Sequence, residues 1–178
     1  MRRTTLFILL TSISLFTGCL SSSTDSGGID EAVGRIAPNF SYTSLNGQEI
    51  SLSEFRGKVV YLFFYGAGCP HCRSNGPVTE TINQQFLSNP DFVALGLDTW
   101  NLSASQNISF RSATGISYPL LLNARQSLVD YYGNAGAYDR SVVIDSEGRI
   151  AYQGSGFVNT DSDRVISVIQ EELNTLSQ

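Results

Sequence analysis

Seven consecutive residues, Val59–Tyr65, are apolar or aromatic without a polar interruption. A strand with one wet face alternates apolar and polar residues. An unbroken run of this length, closed by Gly66-Ala67-Gly68, therefore reads as a strand buried on both faces. Phe92–Asp98 reads the same way and follows the breaker Asn89-Pro90. Two such strands need a packed layer above and below, which makes the class α/β. The 178 residues suit one domain, and 42% hydrophobic residues can fill its core, so wholesale disorder is excluded.

The remaining segments fit around these strands. Residues 38–43 and 49–52 flank an Asn46-Gly47 turn as a short hairpin, and residues 53–57 read as a brief helical turn. A helix is expected from Cys69-Pro70 to about Leu87, with proline suited to its first turn and Pro77 kinking its interior. Ala104–Thr114 reads as a helix ended by Gly115, residues 120–122 as a short apolar stretch, and residues 126–132 as one or two helical turns. Residues 141–144 and 149–153 form a strand pair around Asp145 to Gly148. Over residues 163–176, Val165, Ile166, Val168, Ile169 and Leu173 share one side, as in an amphipathic terminal helix. The expected order is β-β-β-α-β-α-(β/α)-β-β-α: a mixed central sheet between helical layers, with an N-terminal β-hairpin extension.

The N-terminus has a different composition. Arg2 and Arg3 precede an apolar run over residues 6–16, then Thr17-Gly18-Cys19. A basic start, a short apolar run and a small residue before a break form a secretory signal. The run is too short for a membrane-spanning helix. A buried core helix would not lead into the Ser/Gly-rich residues 20–28, which have a flexible-linker composition. Residues 1–18 are read as a signal peptide, 19–35 as a linker and 36–178 as the folded domain. Removing residues 1–18 leaves 9 cations against 16 acids. With a single lysine, Lys58, and no basic cluster, the chain offers no face for phosphates, which excludes nucleic acid as a partner.

Cys69-Pro70-His71-Cys72 sits where the buried strand has ended and a helix begins. Helix N-termini expose unpaired N–H groups and a positive dipole end, which stabilise a thiolate. The i, i+3 spacing puts both sulfurs on one helical face, close enough for a disulfide. Cys69, at the helix end, is expected to be exposed and nucleophilic, and Cys72, one turn in, to be the shielded resolving thiol. His71 can donate to the thiolate and, when protonated, add positive charge, which favours the dithiol. Alternatives remain open from the residues alone: a purely structural disulfide, half a zinc site, or a solvated His71. Three cysteines and one histidine are too few for a zinc ribbon. A haem attachment site would need His where Arg73 stands.

These motifs carry resemblances. Residues 15–19, Leu-Phe-Thr-Gly-Cys, resemble a bacterial lipoprotein lipobox, although Phe16 departs from the usual Leu and ordinary secretion is the alternative. The resemblance implies a lipid on Cys19, membrane attachment through it, and a cell-envelope location facing the periplasm or exterior. Residues 36–176 resemble a thioredoxin-fold redoxin of the TlpA/ResA or AhpC/TSA-like group. The matching parts are Ala37-Pro38-Asn39-Phe40, residues 52–57, residues 57–62, the Cys69–Cys72 motif, Pro77, and residues 142–145 before Gly148. The resemblance implies a thioredoxin-like three-layer sandwich and thiol–disulfide exchange with protein thiols and an unknown redox partner, with no metal or cofactor. The Pro70-His71 dipeptide instead resembles the oxidising DsbA proteins.

Three positions depart from the redoxin pattern. Gly68 stands where the family has Trp, and Asn75 where ResA-like members carry an acid. The position of the family's cis-proline falls at about Asp139, where a trans Tyr138–Asp139 bond is expected because a cis bond without proline is costly. Arg140, beside it, is expected either to support a thiolate or to pair with Asp139 in solvent. Two other classes follow from the same features: a redoxin-type thiol peroxidase, for which Gly66 lacks the needed hydroxyl, and a copper-carrying binding module, for which only His71 is available. Asp98-Thr99-Trp100-Asn101, at a strand's C-terminal end, borders the expected functional crevice, so the single Trp100 lies either beside the thiols or in ordinary packing.

Overall fold

The computed structural model describes residues 32–134 and 136–177. The signal and lipobox segment and Cys19 lie outside them. Strand β3 (Val59–Tyr65) is the centre of the molecule, with all seven residues 0–1% exposed. It pairs in parallel with β4 (Phe92–Asp98) and antiparallel with β6 (Arg140–Ile144). β5 (Leu120–Leu121) and β7 (Ile150–Gln153) complete a mixed sheet in the order β5-β4-β3-β6-β7.

The period of two along β3 divides its side chains between two cores. Val59, Tyr61, Phe63 and Tyr65 face one layer. That layer comprises α1 (Pro70–Phe86), α2 (Ala104–Thr114) and α4 (Val158–Leu176). Val60, Leu62 and Phe64 face the other, with Leu128 and Tyr131 of α3 (Arg125–Tyr132) and the N-terminal hairpin of β1 (Ser41–Thr43) and β2 (Glu49–Ser51). The three-layer sandwich with a mixed sheet and a hairpin extension is thus the architecture found.

Local chemistry explains the element ends. Ser103 caps α2 in a reciprocal box with Gln106, and Gly115, in the left-handed conformation, closes it. Gly76 has no Cβ because one would stand 2.5 Å from Thr114 Cγ2, and this close approach seats α1 on α2. Helix α4 begins at Val158, five residues before the periodic pattern. Its first turn is Val-Asn-Thr-Asp-Ser, whose polar residues hide the period, although Val158 itself is fully buried. The Gly34 N–H donates to Ile150 O at 2.8 Å and the Ile150 N–H to Arg35 O at 2.9 Å, so the end of the expected linker packs along β7.

Phe110 of α2 stacks on Tyr65 with ring centroids 4.6 Å apart and is fully buried. Phe110→Ala should therefore lower the unfolding free energy by about 3–5 kcal/mol. Urea denaturation measures this, and a loss below about 1 kcal/mol would mean the layer closes over the void.

Candidate active site

The turn Gly66-Ala67-Gly68 carries the chain from β3 into α1. Cys69 is the N-cap, in extended conformation, with Pro70 following as the first helical residue. The Cys72 N–H donates to Cys69 Sγ at 3.2 Å, and the Gly66 N–H reaches Cys72 Sγ at 3.5 Å. Both cysteines are free thiols.

The Cys69 side chain is 2% exposed, not open to solvent as the sequence suggested. Its capping bond explains the difference, because the sulfur folds over the helix end to meet an unpaired N–H. Burial pushes the Cys72 thiol well above the usual thiol range. Its hydrogen bond to the Cys69 sulfur acts in the same direction, as do the nearby Cys69 and Asp139 charges, against a lowering by the Gly66 N–H. The two sulfurs are therefore unequal: Cys69 accepts from the helix end while Cys72 keeps its proton.

Asp98, fully buried at the end of β4, ties the surrounding loops together. Its carboxylate accepts from the N–H groups of Ala67 (3.4 Å), Trp100 (3.2 Å) and Leu102 (2.8 Å), and from Asn107 Nδ2 (2.9 Å). This holds Trp100 beside the thiol turn. A Cβ at Gly66 would stand 2.4 Å from the indole, and one at Gly68 would be 3.6 Å from it. Trp100 also meets Tyr138 edge-on at 5.1 Å. Of the two places open to Trp100 from its position after a buried strand, the one beside the turn is found; the anchoring by Asp98 had no sequence signal.

The supporting residues fall differently. His71 makes no hydrogen bond to either sulfur among the described residues. Its ring stacks on Phe157 at 5.0 Å. The Arg140 guanidinium lies over the same ring at 5.2 Å and donates to the carbonyls of Tyr138 and Asp139. Among the described residues, Arg140 makes no hydrogen bond to either thiol and no ion pair with Asp139. The Tyr138–Asp139 peptide bond is trans, and Asp139 has φ +59°. Its N–H donates to Phe64 O at 2.7 Å, and its Oδ2 accepts from Asn75 Nδ2 at 2.7 Å. Burial raises the Asp139 carboxyl above its ordinary value, against lowering by Asn75, Arg140 and His71. Farther out, Asp161 accepts from the Tyr152 hydroxyl at 2.8 Å and is pushed up to about 6, chiefly by burial. Phe157 was not foreseen as a site residue and has no periodic or motif signal; Asn75 was noted only as a departure from the redoxin pattern, and its bond to Asp139 was not foreseen.

A family model described as Redoxin matches residues 32–169. The chain belongs to the redoxin family. This redoxin is 30% identical over 123 residues to the thioredoxin-like protein YneN of Bacillus subtilis (strain 168), covering 69% of this chain and 70% of that one. It is 28% identical over 122 residues to the thiol-disulfide oxidoreductase ResA of Bacillus thuringiensis (strain Al Hakam), covering 68% of each. Among solved structures, a Bacteroides thetaiotaomicron protein assigned as a protein disulfide isomerase superposes with a TM-score of 0.71. It is 31% identical and covers 80% of this chain and 90% of that one. The redoxin is a thiol–disulfide oxidoreductase of thioredoxin fold, with its two thiols close together in a Cys-x-x-Cys motif.

Gly66→Ala should force the indole away from the turn, at a cost of about 1–3 kcal/mol. Since Trp100 is the single tryptophan, its emission should shift to the red. An unchanged spectrum and stability would mean the indole does not rest on Gly66.

Proposed function

We propose that this redoxin exchanges disulfides with protein thiols of the cell envelope. Cys69 is the nucleophile, Cys72 the resolving thiol, and a lipid on Cys19 the membrane attachment. The observation that carries the division of roles is the inequality of the sulfurs. Cys69 Sγ accepts the Cys72 N–H at the positive end of a 17-residue helix, while Cys72 is fully buried behind it. In the reducing direction, Cys69 thiolate attacks a substrate disulfide, forming a mixed disulfide and releasing one substrate thiolate. Cys72 then attacks Cys69 Sγ, closing the Cys69–Cys72 bond and releasing the second. The substrate gains two electrons and the cysteine pair loses them. The oxidising direction is the same sequence reversed.

Pro70 supports this chemistry by starting the helix at the thiol without wasting an N–H donor. His71 and Arg140 support it through charge rather than contact, since both gather at Phe157 beside the turn. A peroxidase reading is weaker, because Gly66 has no hydroxyl and Arg140 bonds to carbonyls. Alkylation of the reduced protein near neutral pH should label Cys69 first, and Cys72→Ser should trap a mixed disulfide with a protein substrate. Preferential labelling of Cys72, or no trapped species, would overturn the assignment.

The envelope location rests on the basic start, the apolar residues 6–16 and Gly18-Cys19. A multiply acylated cysteine holds a membrane stably where one chain binds reversibly. Residues 20–32 would then tether the domain across ~20 Å, from ~5–6 Å × √n. Cys19→Ser should release the protein from membranes or stall its processing, with exchange activity of the released protein intact. A processed Cys19→Ser protein as membrane-bound as the wild type would sink the lipid anchor.

A further inference from the structure

Asp139 is a buried acid that the exchange chemistry, as described, does not use. It is fully buried, yet only one of its carboxylate oxygens is partnered. Oδ2 accepts from Asn75, and Oδ1 is enclosed with no hydrogen bond. A buried unpaired carboxylate oxygen is costly, and such a group calls for a reason. Two anchors fix where it stands. Asn75 lies one turn after Cys72 on the same face of α1, so the bond to Asn75 brings the carboxylate to the Cys72 side of the helix. The Asp139 N–H is held by Phe64 O, two residues before the Gly66 N–H that reaches Cys72 Sγ. The backbone at φ +59° is a conformation that Asp tolerates better than most residues. The Asp139 charge also acts on Cys72, raising its thiol.

Cys72 meanwhile has an unmet need. Its thiol must lose a proton before it can attack, and burial keeps solvent from taking it. We propose that Asp139 is the proton acceptor for Cys72, its Oδ1 taking the thiol proton as Cys72 attacks the mixed disulfide on Cys69. The inference rests on the exchange reading above. In this step the Cys72 S–H bond breaks and Asp139 becomes a carboxylic acid. The Cys69–Cys72 bond forms, the bond from Cys69 to the substrate sulfur breaks, and the substrate leaves as a thiolate that collects a proton from Asp139 or solvent. The other titratable and charged groups around Asp139 are Arg140 at the start of β6, His71 of α1, Asp161 of α4 and Tyr61 of β3.

The test is the rate at which a preformed mixed disulfide on Cys69, made with a small aromatic disulfide, is resolved in the full chain. Asp139→Asn keeps the shape, the left-handed preference and an acceptor for Asn75. It should slow resolution at pH 7 by about 100-fold, the lower range for general acid–base catalysis. The slowed rate should climb with pH. The ratio of resolution to Cys69 alkylation must fall, which a general loosening of the fold would not produce. An unchanged ratio in Asp139→Asn, with a resolving wild type, overturns this inference alone. A wild type that never resolves the mixed disulfide overturns the exchange reading and this inference together. A second measurement needs no variant: the carbon-13 titration of the Asp139 carboxyl in the wild-type dithiol and disulfide forms. Coupled groups titrate differently when one is removed, so the midpoints should differ, and identical midpoints would overturn the assignment.

Discussion

Burial of β3 on both faces is the constraint on which the rest depends. Its seven side chains cannot be covered by one layer, so the sheet must be sandwiched, and the alternation along the strand fixes which residues meet which layer. The strand also ends where the chemistry begins. Tyr65 is locked by stacking on Phe110 and by donating its hydroxyl to Asn107 at 2.6 Å. The turn that follows starts from a fixed point, and Cys69 arrives at the helix N-terminus without freedom to wander. A site built at the end of such a strand inherits the rigidity of the core.

Around the thiols, polar groups that would be costly alone are arranged to satisfy one another. Asp98 offers two oxygens to several donors and thereby fixes both the thiol turn and the Trp100 loop. Such a buried carboxylate is tolerable because its oxygens are met. Removing it would leave those N–H groups enclosed and unpaired, so its role is to position the aromatic wall of the site. Asp139 is the contrast, with one oxygen met and the other left open.

Much of this was legible in the sequence, for reasons that differ by element. The two apolar runs, the Asn46-Gly47 turn and the Ala104–Thr114 helix were readable because period and turn chemistry are local. The Cys69–Cys72 motif was readable because proline and spacing mark a helix start. The exposure of Cys69 was misjudged, since sequence gives no sign that its sulfur would cap the helix. His71 was expected to donate to the thiolate or stand in solvent, and Arg140 either to support a thiolate or to pair with Asp139; their meeting on Phe157 depends on α4 folding back from residue 158 onward. That return is a tertiary event with no local trace. Asn75 and Asp139, 64 residues apart, share a hydrogen bond that no pattern in either segment announces.

The electrostatics of the site follow from who is buried and who is paired. Cys69 Sγ accepts a hydrogen bond at the start of α1, whereas burial and the neighbouring Asp139 charge disfavour charge on Cys72. Arg140 and His71 draw the Asp139 carboxyl back toward ionisation without pairing with it. A direct ion pair would hold the carboxylate charged throughout and use up its open oxygen. By sitting at the Phe157 ring instead, Arg140 and His71 bias the acid while leaving that oxygen unoccupied. The arrangement therefore keeps the proton on the inner sulfur of the resting dithiol, while the outer sulfur meets an N–H of the helix end. In the exchange we propose, that asymmetry sets the order of attack, with Cys69 first and Cys72 second.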